Sequence, residues 1–302
     1  MTTRGWVLFA AMGVIWGIPY LLIKIAVGEF SPATVVFGRT AIGTLLLLPI
    51  ALARSDLRTL RPHWRLLLVY TAVEIVGPWI LLSHAETRLS SSLSGLLIAG
   101  VPLVGALLAF VTGHDDRPDA LRWLGLAIGF VGVGLVVGFN VAADDLLAVG
   151  EVGLVVLGYA IGSMLIARMR DVPSLAVIAA SLAISALVYL PFGLASWPAT
   201  PPSPQSIASV AVLGIVCTAL AFLVFFALIR EVGANRATVI TYVNPAVAVA
   251  LGVAVLGEAF TATIAAGFVL IALGSFVGTR RPRSARLAAE ASPDLGGRKP
   301  AV

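Results

Sequence analysis

Apolar residues run through this chain in long unbroken blocks, not in strand-like alternation. Ten such blocks, separated by short polar stretches, fall near residues 6–26, 31–53, 66–84, 91–112, 120–139, 146–167, 174–195, 206–229, 234–256 and 260–279. A bilayer core of roughly 30 Å needs about 20 apolar residues per helical crossing. The pattern therefore predicts an all-α integral membrane protein with ten transmembrane helices. Composition agrees: the 302 residues are 59% hydrophobic and 12% charged, with a mean hydropathy of +1.03, far outside the soluble range. The first block has the Arg4 flank of a signal peptide. Its apolar run is too long for one and lacks a small-x-small cleavage site, so it is expected to be retained.

Charge adds a direction. With ten crossings the loops alternate sides, and the side of the N-terminus collects seventeen basic residues. These are Arg4, Arg54, Arg58, Arg61, Arg65, Arg117, Arg122, Arg168, Arg170, Arg230, Arg236 and six beyond residue 279. The other side has Lys24 and Arg88, and Arg39 lies inside the second block. The positive-inside rule then places both termini in the cytoplasm of a multi-pass protein of the inner (plasma) membrane. The net charge of +5 is topological, because two to four arginines per loop do not make a nucleic-acid-binding face. Residues 280–302 have the composition of a disordered tail whose arginines suit an anionic lipid surface.

Catalytic chemistry finds no support. The single cysteine, Cys217, sits within a block, so no disulfide framework or cysteine metal cluster follows. His63, His84 and His114 lie at or beyond block ends, and no HExxH, GxSG or GxxxxGK[ST] motif occurs. No enzyme activity, cofactor or metal site is expected. The partners implied are the lipid bilayer, a small molecule and protons.

Sliding the chain along itself by 143 residues brings Pro102 onto Pro245, Asp115 onto Glu258, Trp16 onto Tyr159 and Ile23 onto Ile166. A shift of 142 brings Gly125 onto Gly267 and Gly132 onto Gly274. Matches of proline, acid, aromatic and glycine at nearly one offset indicate a duplication, with halves 1–139 and 140–279. Five crossings per half force opposite orientations, the inverted repeat of many secondary transporters.

The Trp16-Gly17 pair, Pro32 followed by Arg39, Pro245 followed by Gly257-Glu258, and then Gly267 and Gly274 resemble EamA-type members of the drug/metabolite transporter superfamily. The resemblance covers about residues 6–279. It implies ten helices in two inverted five-helix repeats, cytoplasmic termini, a central substrate cavity, and export of a metabolite or drug. Where the family's first repeat usually has Gly-Glu, this chain has His114-Asp115. Uptake, and a non-transporting membrane scaffold, remain as alternatives at this point.

Ionisable groups at membrane depth are costly and mark function by default. Glu74 and Arg39 sit at a similar depth by residue count, either as a structural ion pair or in contact with substrate or protons. Pro78 removes the amide that would bond the Glu74 carbonyl. Trp16, Tyr20, Tyr159 and Tyr242 are candidates to line a cavity or to pack. Lys24 is close enough to an interface to snorkel. Asp115 and Glu258, at block ends, read as helix caps. The pairs Gly125/Gly129, Gly134/Gly138, Gly158/Gly162 and Gly274/Gly278 read as helix-packing positions. Pro102 and Pro245 interrupt corresponding helices, as expected of opposed gates around a midplane site, with Asn244 and Tyr242 expected to touch substrate.

Overall fold

The structure, a computed structural model, describes residues 1–113, 120–169, 171–233 and 237–279. Asp115, His114 and the tail from residue 280 lie outside the described residues, so the expectations made for them stand outside the fold below. Among the described residues every regular element is helical. Eight helices are long and apolar enough to cross a membrane: α1 (Thr3–Ala26), α2 (Pro32–Arg54), α3 (Leu57–Arg88), α4 (Ser91–Val111), α5 (Ala120–Asn140), α6 (Ala143–Ile166), α7 (Ser174–Ala195) and α8 (Pro204–Val232). Two shorter apolar helices follow, α9 (Ile240–Leu256) and α10 (Ala262–Gly278).

Local chemistry sets the helix starts. Thr2, Ser31, Ser90, Ser203 and Thr261 each accept a backbone N–H from three residues onward, and Pro32 and Pro204 occupy the first turns they begin. The third helix runs further than hydropathy suggests. It does not stop at residue 84 but continues to Arg88, where Leu89 turns extended and Ser90 caps the next helix. His84 and Glu86 are therefore helical, not in a loop.

Four helices are interrupted, in two matched pairs. In α3 the segment Ala72–Val76 forms a π turn, in which the Gly77 N–H bonds the Ala72 carbonyl five residues back. Pro78, which has no N–H to give, follows at once. In α8 the π turn Ile215–Leu220 begins 143 residues later, and Ala221 N–H reaches Val216. The Thr218 hydroxyl there donates to the Leu213 carbonyl at 2.8 Å. The second pair is α4, which breaks between Ser91–Ile98 and Val101–Val111, and α9, which passes from a 3-10 turn at Thr238–Tyr242 into Asn244–Leu256. Pro102 and Pro245 start the second pieces, again 143 residues apart.

Packing also exchanges the two halves. The most extensive helix pairs are α5 with α10 and α2 with α7, which join corresponding helices. α1 packs on α8 and α9, and α6 packs on α3 and α4. Glycine makes the closest crossing: a Cβ at Gly274 would run into the Gly129 backbone, and one at Gly125 into Gly278. Gly158 and Gly162 of α6 likewise receive α3, whereas Gly134 and Gly138 have open space where a Cβ would go. Three of the four glycine pairs thus serve packing within the chain.

One hydrophobic core spans the end of the bundle opposite the N-terminus, drawing on α1 to α6 and α8 to α10. A second follows α2, α3 and α7, and a third joins α1 to α8 and the start of α9. Polar ties close the first end. Glu29 accepts the Ser203 amide and hydroxyl, Asn140 bonds Thr261 and Thr263, and Arg88 donates to the Asp144 carbonyl. At the N-terminal end Thr2 donates to Glu231, and His63 meets Asp171 at 3.0 Å.

Candidate functional site

Arg39 anchors the centre. It projects from α2 and is 8% exposed. Its Nε donates to the Thr218 hydroxyl at 2.8 Å, and its guanidinium carbon lies 3.6 Å above the centre of the Trp79 ring. The α8 π turn turns Thr218 toward α2 and occupies its own proton on Leu213, leaving the oxygen to accept from Arg39. Tyr20 of α1, Tyr159 of α6, Cys217 of α8 and Glu86 of α3 are within electrostatic reach of the guanidinium.

Glu74 faces elsewhere. Its carboxyl lies against Gly162 of α6, where a Cβ would occupy the same space, and the preceding Val73 carbonyl presses on Gly158. The Glu74 Oε2 atom is buried with no hydrogen-bond partner. The expected ion pair between Arg39 and Glu74 is not formed: Arg39 points to α8 and Glu74 to α6. Equal rise along two helices fixes depth but not the direction of a side chain, which turns about 100° per residue. Tyr159 is within electrostatic reach of both. Tyr189 of α7 donates to the Val76 carbonyl at 2.8 Å, supplying a donor to the end of the π turn.

The other sequence candidates separate. Tyr20 joins the cluster, its ring seated on Gly95 of α4. Trp16 sits one turn away in an aromatic group, 4.7 Å from Phe225 and 6.2 Å from Phe222 between ring centres. Pro78 touches the same face of α6 as Glu74, near Gly158. Tyr242 lies apart, its hydroxyl 3.5 Å from Thr279 at the end of α10. Oriented by its neighbours, the Asn244 amide donates to the Ile240 carbonyl at 3.0 Å and the Gly13 carbonyl at 3.2 Å. That ties the start of α9 to α1, leaving only the Asn244 oxygen for a ligand.

Several functional groups escaped the sequence reading. Glu86 is 0% exposed and neither of its carboxyl oxygens has a partner. Lys24 does more than snorkel, since its ammonium donates to the Glu86 carbonyl at 2.7 Å and the Leu89 carbonyl at 2.8 Å, capping the end of α3. Glu258, expected as a helix cap, does cap one, but in the opposite half of the chain: its carboxylate accepts the Ser91 amide at 2.7 Å, the Ser92 amide at 2.9 Å and the Ser92 hydroxyl. Gly257 permits this with a left-handed φ of 66°, and Gly252 leaves the space in which the carboxylate folds back. The signal for Thr218 was available, because the 143-residue offset places Cys217 on Glu74.

An apolar helical bundle with interrupted helices and buried charge at its centre defines a membrane-embedded protein of the transporter type. The chain belongs to the EamA-like transporter family, whose profile matches residues 3–138 and again residues 150–279. It is 28% identical over 299 residues to the uncharacterized inner membrane transporter YedA of Escherichia coli (strain K12), covering 94% of this chain and 95% of that protein. It is 26% identical to the uncharacterized transporter YvbV of Bacillus subtilis (strain 168), covering 89% of each. A solved structure described only as a crystal structure of a protein shares the fold, with a TM-score of 0.66 and 20% identity over 97% of this chain.

Proposed function

We propose that the protein is a secondary active transporter that exports a small metabolite or drug by alternating access, and that it is not an enzyme. The observation that carries this reading is the pair of matched interruptions. Two π turns and two proline breaks recur at one offset in four helices that surround a buried polar cluster. Irregular backbone at membrane depth is tolerated where it lines a cavity, and corresponding breaks in two halves mark a shared site. Trp16, Tyr20, Arg39, Glu74 and Tyr159 line that site, with Asn244 at its margin and Tyr242 apart from it, beside Thr279. Pro78, Pro102 and Pro245 set the bends.

The halves are inverted five-helix repeats, each helix from α1 to α10 crosses once, and both termini are cytoplasmic. Ties between loops support the alternation, because each joins segments that ten crossings place on one side. Cysteines introduced at 60 and 145 should label from opposite sides of intact cells, and labelling from one side would end the ten-crossing scheme. Cys217 is buried and borders Arg39, so it is better left in place than replaced.

Glu74 exchanges protons as substrate binds. Its unpartnered buried oxygen, free of Arg39, supports that role over an ion pair. Flux into proteoliposomes against a metabolite panel, with and without a pH gradient, tests the whole reading. Glu74→Gln should abolish gradient-driven flux and preserve counterflow, and unchanged gradient dependence would remove Glu74 from coupling.

A further inference from the structure

Within this transport reading, on which the following rests, Arg39 is a buried cation with spare binding capacity. Its Nε is committed to Thr218 and its face to Trp79. Among the described residues its two terminal nitrogens have neither a hydrogen-bond acceptor nor an ion-pair partner. A buried arginine usually rests on a carboxylate, because the planar fork loses water and must recover its hydrogen bonds. The acid with the strongest reach, Glu86, forms no ion pair with it, and the other groups facing it, Tyr20, Tyr159 and Cys217, are neutral in their ordinary forms.

The contacts already made fix the fork rigidly. Thr218 holds one edge and Trp79 one face, which leaves the two terminal nitrogens for a ligand. Tyr20 of α1 and Tyr159 of α6 lie within electrostatic reach of the guanidinium, and Trp16 with Phe222 and Phe225 forms an aromatic group further along α1 and α8. We infer that the substrate is an organic anion whose carboxylate docks on the two terminal nitrogens of Arg39, with an apolar or aromatic body against these rings. A cation would meet Arg39 unfavourably, and a neutral compound would leave the fork unpaired.

The test compares acids with their own amides, which keep the shape and lose the charge. The probes are benzoate and benzamide, phenylacetate and phenylacetamide, and N-acetylphenylalanine and its amide. Each is titrated against the protein in phosphatidylcholine nanodiscs, so no anionic headgroup competes, with thermal stabilisation as the readout. At least one acid should act at a concentration about tenfold or more below its amide, as expected for a charge-assisted bidentate contact. Arg39→Gln should equalise each pair, and Arg39→Lys should keep the preference at weaker affinity because it keeps charge without the fork. Equal response of acid and amide in the unaltered protein, no response to any probe, or a preference that survives Arg39→Gln would each overturn the inference. Should Arg39→Gln not fold, the unaltered protein alone decides. Acid preference without flux of any compound would sink the transport reading and not this one, whereas flux of neutral or cationic compounds alone would do the reverse.

Discussion

Replacing Glu258 with alanine removes the cap that joins the end of α9 to the start of α4. Three donors lose their acceptor at once: the Ser91 amide, the Ser92 amide and the Ser92 hydroxyl. Ser91 and Ser92 are 0% and 1% exposed, so water does not readily take the place of the carboxylate. A hydrogen bond to a charged acceptor contributes about 1.5–3 kcal/mol and an acid at a helix N-terminus about 0.3–1 kcal/mol. Because the three donors share one side chain, these do not add in full, and about 3 kcal/mol is a reasonable total for the closed end. That corresponds to roughly a hundredfold in the equilibrium for opening. Hydrogen exchange followed by mass spectrometry on a peptide covering 91–98 should show amides exchanging up to about a hundredfold faster in Glu258→Ala, with α7 peptides unchanged. Glu258→Gln keeps one acceptor and should fall between, at about tenfold. Exchange within threefold of the unaltered protein for both variants would refute the idea that this cap holds the end shut.

Gly162→Ala places a methyl group where the Glu74 carboxyl lies, which should cost about 1–3 kcal/mol of stability; combining it with Glu74→Ala should recover most of that loss, and additive losses in a double-mutant cycle would deny the contact. Glu29, held below the ordinary carboxylate range first by the Ser203 hydroxyl and then by its amide, contributes to closure at neutral pH, and that contribution is lost as pH falls through its lowered pKa. Exchange of amides around residue 203 should therefore quicken only below the usual glutamate range, and Glu29→Gln should flatten that dependence. Asn244→Ala removes the side-chain donor that ties the Ile240 and Gly13 carbonyls together and should lower thermal stability by about 1 kcal/mol, whereas unchanged melting would place the amide elsewhere. A disulfide between cysteines at Thr34 and Ser196, whose hydroxyl oxygens are 3.2 Å apart, should leave flux within about twofold, because α2 and α7 are expected to stay together during transport.

Much of this fold was legible because lipid imposes a simple rule: long apolar blocks become helices. The repeat was legible too, since proline and acid stand out against an Ala/Leu/Val background. What the pattern could not carry was direction around each helix. Depth placed Arg39 beside Glu74, but their side chains leave α2 and α3 toward different neighbours. The π turns were also invisible, because they arise from competition among backbone carbonyls once Pro78 withholds its N–H, and α8 does the same with a threonine and no proline. Glu86 was missed for a third reason. It sits in a stretch, SHAETR, polar enough to read as a loop, and only the capping of α3 by Lys24 shows that the helix continues through it.

The interleaving of the halves restricts how such a protein can move. α1 is seated on α8 and α9 and α6 on α3 and α4, so neither family copy is a free-standing body that could rock against the other. The acids reinforce this. Glu29, after the first helix of one copy, binds Ser203 before the third helix of the other, and Asp171, after the first helix of the second copy, binds His63 in the first turns of the third helix of the first. Separating the copies would break both ties and uncover the glycine-tight crossing of α5 and α10. Bending costs less. The four helices that α1 and α6 touch, α3, α4, α8 and α9, are the four that carry an interruption, and each interruption already lacks regular hydrogen bonds. Swinging their outer ends about those points would open one end while α2 with α7 and α5 with α10 stand as fixed posts. Such movement would pass through the residues near Arg39 and Glu74: Thr218 sits on one π turn and Glu74 on the other. Under the proposed transport, a ligand drawing on Arg39 would act on the π turn of α8 through Thr218, coupling binding to bending without any longer path.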